Sequence, residues 1–400
     1  MRGAILSVNA GSSSLKFAVY LAANTGIGNA LMTGVFEGLE PHGQPLLCWT
    51  EQGRQQRQPL AAGACDPFDA ALLRLQQLLA ETPALPPLLG VAHRVVHGGE
   101  AFTRAVTVTP EVLEQLARYN SLAPLHQPHN LAGIRAFAQA FPGLPQIACF
   151  DTAYHATVPA LHSSFALPEP LRSQGVRRYG FHGLSYQFIM GELLQRSPRA
   201  AGRVLMAHLG NGASLCAAQV GLSVATTMGF SALDGLMMGT RSGNLDPGVL
   251  LYLMEQGCSH AQIEKLLYKQ SGLLGVSGIS ADMRTLRADG SAAARFAIDL
   301  FAHRVVREAG AMAACLQGLD VLAFSGGIGE HDAALRQQVC EQLGWLGVQI
   351  DTDLNRAAKG DGCQAVHTPG SRVEVWVIPT DEGKVAARQA KAVIGMGQNR

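Results

Sequence analysis

Three charged residues stand out in this 400-residue chain by where they lie. Arg94 interrupts the apolar run Leu88–Val96, so its guanidinium either meets a protein carboxylate or waits for an anionic ligand. Asp151 follows the apolar segment Pro145–Phe150. An ionisable group just past the carboxyl end of a strand is where open α/β sheets place their sites, and a turn or helix cap would read the same way. Arg241 lies in the Gly- and Met-rich segment Met228–Gly248, among small residues in TRSG. There it is either solvated or able to fork onto a carboxylate or phosphate.

Around these lie turns made of small residues. VLMAHLGNGASLCA, Val204 to Ala217, reads as a strand, a Gly/Asn/Ser tip and a second strand. Such a tip can present backbone N–H groups to a phosphate, and it can equally be an ordinary Asn-Gly hairpin turn. Ala4 to Tyr20, AILSVNAGSSSLKFAVY, repeats the pattern, and a gapless alignment sets Ser14 on Ser214, Leu15 on Leu215 and Ser12 on Gly212. Two such hairpins suggest two related halves gripping one nucleotide. VLAFSGGIGE, Val321 to Glu330, adds an apolar strand and a glycine turn at residues 326, 327 and 329, followed by a helix from about Asp332 to Leu343. That turn would let backbone approach a flat ligand such as adenosine. The chain has no G-x-x-x-x-G-K-S/T and no G-x-G-x-x-G after a strand, which excludes a P-loop and the simplest dinucleotide fold.

The elements that must carry these residues follow from periodicity. Helices are expected from Asp66 (cap) to Glu81, from Thr109 to about Tyr119, over Asn130–Phe141 and over Leu184–Arg196. Further helices should span Pro247–Gln256, His260–Tyr268, Ser291–Leu316 and Lys384–Ile394, with Ser280 capping a short one that holds Asp282 and Arg284. Hydrophobic residues make up 48% of the chain, enough for two cores. With 31 Lys+Arg against 30 Asp+Glu, the charge balance favours neither nucleic acid nor a membrane surface as partner. No apolar run approaches the roughly 18 residues of a membrane span, and eight scattered cysteines without a C-x-x-C pair favour reduced thiols in a cytoplasmic protein. The thirteen histidines show no zinc-helix pattern; His93 and His97 flank Val95-Val96 at a strand end.

Two strand-hairpin halves and a glycine-rich adenosine turn resemble the actin, Hsp70 and sugar-kinase superfamily. Within it, NAGSSSLK, AHRVVHGG, LAPLHQP, FDTAYH, RRYGFHGLS, AHLGNGASL, GTRSGNLDPG, DMR, GGIGE and TDEG occur in the order seen in the acetate/propionate kinase family, from residue 9 to about 383. The resemblance implies two similar α/β domains of ribonuclease H-like fold with the site in the cleft between them. Residues 1–150, completed by helix 384–400, would form the acyl-kinase lobe, and 151–383 the nucleotide-binding lobe, with hinges near Asp151 and Gly383. It implies ATP-dependent phosphorylation of acetate, or of propionate, with Mg²⁺ or Mn²⁺. Asn9 and Glu382 would hold the metal, Asp151 would orient the metal or the substrate, and Arg94 and Arg241 would clamp carboxylate and transferring phosphoryl. His182 would stabilise the transition state. Ser12, Ser14, Lys16, His208, Asn211 and Gly212 would contact phosphates; Asp282, Arg284, Gly327, Ile328 and Gly329 would line the adenosine site; Val96, Leu125 and Phe181 would form the acyl pocket. A homodimer is implied as well.

The chemistry suits these residue types. A carboxylate is already ionised at neutral pH and needs no general base, so catalysis consists of overcoming charge repulsion with arginines, metal and hydrogen-bond donors during direct in-line transfer. A hydroxyl kinase on this fold would instead need an aspartate base, for which Asp151 is the candidate, and a nucleotide-dependent scaffold would need neither arginine. Three positions depart from the family pattern: His331 where Asn is common, Asn244 for an Asp, and Ser231-Ala232 for Thr-Pro.

Overall fold

The computed structural model describes residues 3–40, 43–60, 66–124 and 126–397. The chain divides into two compact units, Met1–Ala153 with Asp381–Arg400, and Tyr154–Thr380.

In the first unit, strands β1 (Gly3–Ala10), β2 (Ser14–Ala23), β3 (Gly26–Glu37), β4 (Leu46–Glu51), β5 (Arg54–Pro59), β6 (Leu88–Val95), β7 (Val106–Thr107) and β8 (Gln146–Phe150) form a sheet of order β5-β4-β3-β2-β1-β6-β8-β7. The central strands β1, β6 and β8 run parallel and are buried along most of their length, which explains why AILSV and IACF are almost wholly apolar. At the edge, β5 (RQQRQP) is exposed throughout, its charges and proline blunting an open strand. Two helices bury the faces of β1 and β6: Gln127–Ala140, and the last helix, Glu382–Gly397, which packs Val385, Ala386, Ala387 and Ala390 inward.

The second unit holds β9 (Arg203–Leu209), β10 (Ala213–Gln219), β11 (Leu222–Thr226), β12 (Val321–Ser325), β13 (Gln364–Ala365) and β14 (Glu374–Val377), in the order β11-β10-β9-β12-β14-β13. Helix Ala292–Leu316 packs on its antiparallel half. The core β11-β10-β9-β12-β14 repeats β3-β2-β1-β6-β8 of the first unit, with three antiparallel strands followed by two parallel ones. The relatedness of the halves therefore extends from the hairpins to the whole sheet.

The gapless alignment does not survive. Leu15 pairs with Ala10, whereas Leu215 pairs with Ala207, three positions off the aligned residue, because the tips are built differently. Gly11 N–H closes the first tip on the Ser14 carbonyl, and Gly210 N–H closes the tighter second tip on the Gly212 carbonyl. Other boundaries shift with capping chemistry. Asp282, not Ser280, caps helix Met283–Asp289, accepting from Arg284 N–H, because a carboxylate at that position reaches the orphan amide directly. The GGIGE segment is not a turn: Gly326–His331 is itself helical. Helix Gln127–Ala140 starts three residues before Asn130, with Pro128 in its first turn.

Candidate active site

In the first unit the chemistry gathers at the carboxyl end of the parallel strands. Arg94 leaves the end of β6, Asp151 follows β8, and Glu382 opens the last helix. Arg94 forks onto Asp151, its Nε 3.1 Å from both carboxylate oxygens and its Nη2 2.6 Å from Oδ2. The same Nε lies 3.3 Å from Glu382 Oε2. The arginine in the apolar strand has thus met protein carboxylates, and the Asp151 side chain is an ion-pair partner rather than a cap. Burial pushes the Asp151 carboxyl up to about 6; Arg94 opposes that rise and Glu382 adds to it. Burial also works against the Arg94 charge, and the two carboxylates more than offset it, holding the guanidinium above its ordinary range.

Beside this pair a cavity of about 170 Å³ is lined by Asn9, Lys16, Arg94 and Glu382. Asn9 and Lys16 are cross-strand partners on β1 and β2, so the first hairpin places an amide and an ammonium together. Ser12 is exposed at the tip and Ser14 is half-buried. The start of the last helix is pinned from within the same unit: Tyr20 Oη donates to Asp381 Oδ1 at 2.5 Å, and that oxygen also accepts from Lys384 N–H. Val96 is buried, its N–H donating to Asn130 Oδ1, while Asn130 Nδ2 donates to the Ala10 carbonyl. One buried asparagine thereby ties the ends of β1 and β6 together. Leu125 lies outside the described residues.

The metal expectation can be tested on these donors. Among the described residues no cluster of three or more His, Cys, Asp or Glu side chains could hold an ion. Mg²⁺ is bound through one or two carboxylates with waters and substrate phosphates rather than in an all-protein cage. Glu382 and Asn9, oxygen donors on one cavity, fit that mode.

In the second unit the hairpin of β9 and β10 is the meeting point. A Cβ on Gly212 would stand 3.3 Å from His182 Nε2 and 3.6 Å from Arg241 Nη2, so both side chains converge on the glycine tip. His182, the N-cap of helix Gly183–Arg196, sits at φ 58°, ψ 23° in the left-handed region, a strained conformation for a residue with a Cβ. Its Nδ1 is 2.9 Å from Ser214 Oγ, which also meets Tyr186 Oη. The ring stacks on His208 with centroids 4.3 Å apart, and His208 Nδ1 meets Ser185 Oγ at 2.8 Å. Phe181 is buried beside it in sequence, and its carbonyl meets His155 Nε2.

Arg241 is held by a buried irregular loop. Met228, Leu236, Met237 and Met238 are buried, and the loop's backbone binds the segment after helix His260–Lys269: Ser271 N–H to Thr240 O, Leu273 N–H to Met238 O, Leu274 N–H to Gly239 O. Arg241 Nη1 donates to the Ala232 carbonyl at 2.8 Å, so the Ser231-Ala232 departure touches the guanidinium directly. Asn211 leans on the same loop: Gly239 N–H donates to its carbonyl, and a Cβ on Gly239 would fall 1.9 Å from its Oδ1.

The three glycines of GGIGE differ. Gly326, at φ +75°, has room for a Cβ only 2.7 Å from the Leu209 carbonyl, so it serves packing against the hairpin; Gly329 faces Phe324 and Ala207. Gly327 opens on space, with its N–H 3.8 Å from where a Cβ on Gly210 would be. Ile328 is half-buried in the same helix. Glu330 accepts from Gly326 N–H and Thr380 N–H, so it braces the helix. Arg336, fully buried, donates to the carbonyls of Gly329, Glu330, Asn355 and Ala358 and to Asn355 Oδ1. Asp282 and Arg284 form an exposed ion pair at 2.5 Å, and that contact with Arg284 holds the aspartate down to about 2. His331 meets the Lys359 carbonyl and Asn244 meets Arg307, so these two departures turn toward other partners. The sequence assigned no role in the site to Asn130, Ser214, Tyr186, Gly272 or Arg336. Of these, the polar ones occupy buried positions, visible only once the fold is known.

The model of the Acetokinase family matches residues 4–388. The chain is 49% identical over 391 residues to an acetate kinase of Rhodopseudomonas palustris, covering 97% of this chain and 98% of that one. Among solved structures it is similar to a propionate kinase of Francisella tularensis, with TM-score 0.88, 35% identity and 97% and 98% of the two chains covered. It is also similar to the Porphyromonas gingivalis acetate kinase, with TM-score 0.85, 35% identity and 98% and 100% covered. With matches running the length of the chain, it belongs to the acetokinase family.

Proposed function

We propose that this protein transfers the γ-phosphoryl group of ATP to a short-chain carboxylate, acetate first and propionate second, forming an acyl phosphate in a reversible, direct in-line step. The observation that carries the reading is the state of Asp151. Both its oxygens accept from Arg94, which leaves it poorly placed to take a proton from a hydroxyl nucleophile. A carboxylate nucleophile needs no such base, only positive charge to offset its repulsion from the phosphoryl group. That ranks a carboxylate kinase above a hydroxyl kinase, and the site-bearing arginines rank both above a scaffold.

In this reading Arg94 neutralises the incoming carboxylate, with Val96, Leu125 and Phe181 sizing its alkyl group. Arg241 and His182 face the phosphoryl oxygens. His208, Asn211 and Gly212, with Ser12, Ser14 and Lys16 of the first hairpin, hold the phosphate chain. Asp282, Arg284, Gly327, Ile328 and Gly329 border the adenosine. Glu382 and Asn9 would hold Mg²⁺, which when bound supplies charge to the phosphates, while Asp151 keeps Arg94 oriented. The first unit is the acyl-kinase lobe, and the second the nucleotide lobe. ATP as substrate suits a cytosolic enzyme, as do the cysteines of the described residues, all of them free.

A homodimer is supported by helix Pro247–Glu255, which buries none of its residues and leaves Leu251, Tyr252 and Met254 more than half exposed. Light scattering on the purified protein tests this, and a monomer at micromolar concentration refutes it. The activity is tested by hydroxamate trapping of acyl phosphate with MgATP and acetate, propionate or butyrate in parallel. Acetate is expected to react best. No hydroxamate with any acid refutes the function, and a phosphoryl-enzyme competent on Asp151 or Glu382 refutes direct transfer.

A further inference from the structure

The hydrogen bonds behind His182 can be oriented without ambiguity. Tyr186 Oη is buried, and its proton has one acceptor within reach among the described residues, Ser214 Oγ. Burial holds that phenol well above its ordinary range, so it keeps its proton and donates. The reverse orientation, with His182 Nδ1–H donating to Ser214 and Ser214 donating to Tyr186, would strand a buried phenolic proton with no acceptor, a cost native interiors avoid. Ser214 Oγ could accept from both neighbours, but its own buried proton would then have no acceptor among the described residues, so it donates that proton to His182 Nδ1 at 2.9 Å. The ring proton is left on Nε2, the atom that stands over Gly212 beside Arg241 Nη2.

We propose that Tyr186 and Ser214 are positioning residues that lock His182 as the neutral tautomer with its proton on Nε2, making it a hydrogen-bond donor to the transferring phosphoryl group and never its base. The proposal rests on the reading of His182 as a phosphoryl contact and adds what that contact can do. A fixed N–H aimed where charge develops needs no reorganisation during transfer, as a rotating hydroxyl or a titrating ring would. Ser214 pairs with His208 across the β9–β10 hairpin, so the element that forms the phosphate tip also sets the tautomer.

The test combines spectroscopy with kinetics on the full chain. In ¹⁵N-histidine-labelled protein at neutral pH, with His182 assigned by its disappearance in His182→Gln, the native ring should show an unprotonated, hydrogen-bonded Nδ1 and a protonated Nε2. In Ser214→Ala, kcat for acyl phosphate formation should fall on the order of tenfold with KM for ATP and carboxylate little changed, a smaller loss than the roughly hundredfold cost of deleting such a donor. Ser214→Thr, which restores a hydroxyl, should recover most of kcat. Tyr186→Phe keeps the packed ring and should give a mixed tautomer signature with a severalfold lower kcat. A native ring protonated on Nδ1, or native kcat in Ser214→Ala, overturns the proposal. Native kcat in His182→Gln would instead overturn the phosphoryl reading beneath it, and the native ring's spectrum tells the two failures apart.

Discussion

Gly272 is the residue on which the placement of Arg241 depends most directly. It sits at φ +65°, and a Cβ there would meet the Met238 carbonyl at 2.2 Å, the Arg241 carbonyl at 2.8 Å and the Arg241 nitrogen at 3.0 Å. These neighbours are backbone and cannot rotate aside. Moving the closest contact from 2.2 Å to the 3.0 Å that real Cβ atoms keep displaces the loop by at least 0.8 Å. A misplacement of about 1 Å at a reacting centre can cost about a hundredfold in rate. Gly272→Ala is therefore expected to lower kcat in the hydroxamate assay by fifty- to hundredfold, on the order set by that argument. Gly278, which ends the short helix Gly272–Ser277 at φ +67° with nothing within 4 Å of its Cβ position, supplies the control. Gly278→Ala bears only the left-handed strain of about 1–2 kcal/mol, visible as a lower melting temperature with native kcat. If Gly272→Ala retains kcat within about twofold of native, or if both variants lose activity alike, the idea that backbone packing fixes Arg241 is wrong.

Burial pushes the His93, His97 and His155 rings down to about 4 from an ordinary 6.5, while Asp151 is raised to about 6. Each depressed histidine lends stability that is whole above 6.5 and is lost as pH falls toward 4; the raised carboxyl works the other way in the same window. Three protons bound on unfolding less one released leaves about two, or roughly 2.7 kcal/mol per pH unit between pH 6 and 4, so the melting temperature should drop steeply there, and a flat profile by circular dichroism would contradict the burial argument. Arg336→Met strips its buried carbonyl partners of a charged donor and should destabilise by more than about 3 kcal/mol in urea titration, with KM for ATP rising more than KM for carboxylate because Gly329 and Glu330 lose their anchor. A silent Arg336→Met would mean the short helix is held otherwise. Asp151→Asn leaves Arg94 with Glu382 alone and should reduce kcat by about a hundredfold or more in the hydroxamate assay; near-native turnover would remove Asp151 from the chemistry.

Much of this was legible because local chemistry and tertiary context agree. The apolar runs before Asp151 and around Arg94 read as strands, and so they are, buried and parallel in the sheet. The helices with a strong side-chain cap, at Asp66, Thr109 and Ser291, start where their caps stand. Legibility failed where one residue answers to two constraints. The gapless match of the two hairpins did not survive, since tip closure depends on which carbonyl the first glycine reaches, and composition does not say. In GGIGE, glycines read as ligand clearance divide their work: Gly326 is demanded by the Leu209 carbonyl, Gly327 opens on space, and the helical periodicity of six residues is too short to show in sequence.

The residues that escaped notice share a physical cause. Asn130, Ser214, Tyr186 and Arg336 are polar groups whose partners lie 6 to 120 positions away. A sequence marks a polar residue as exposed unless something says otherwise, and what says otherwise is the partner brought in by the sheet. Ser214 shows it best. In sequence it is one small residue in a phosphate-type tip, with a default role of touching the ligand. Folding turns its side chain inward to zero exposure, between a tyrosine and a histidine from one helix. A hairpin that presents its glycines to an anion must, by the alternation of a strand, send the neighbouring side chains the other way. The inward residue then acts on whatever stands behind the tip, so what supports this glycine tip is found two residues past its last glycine, on the buried face.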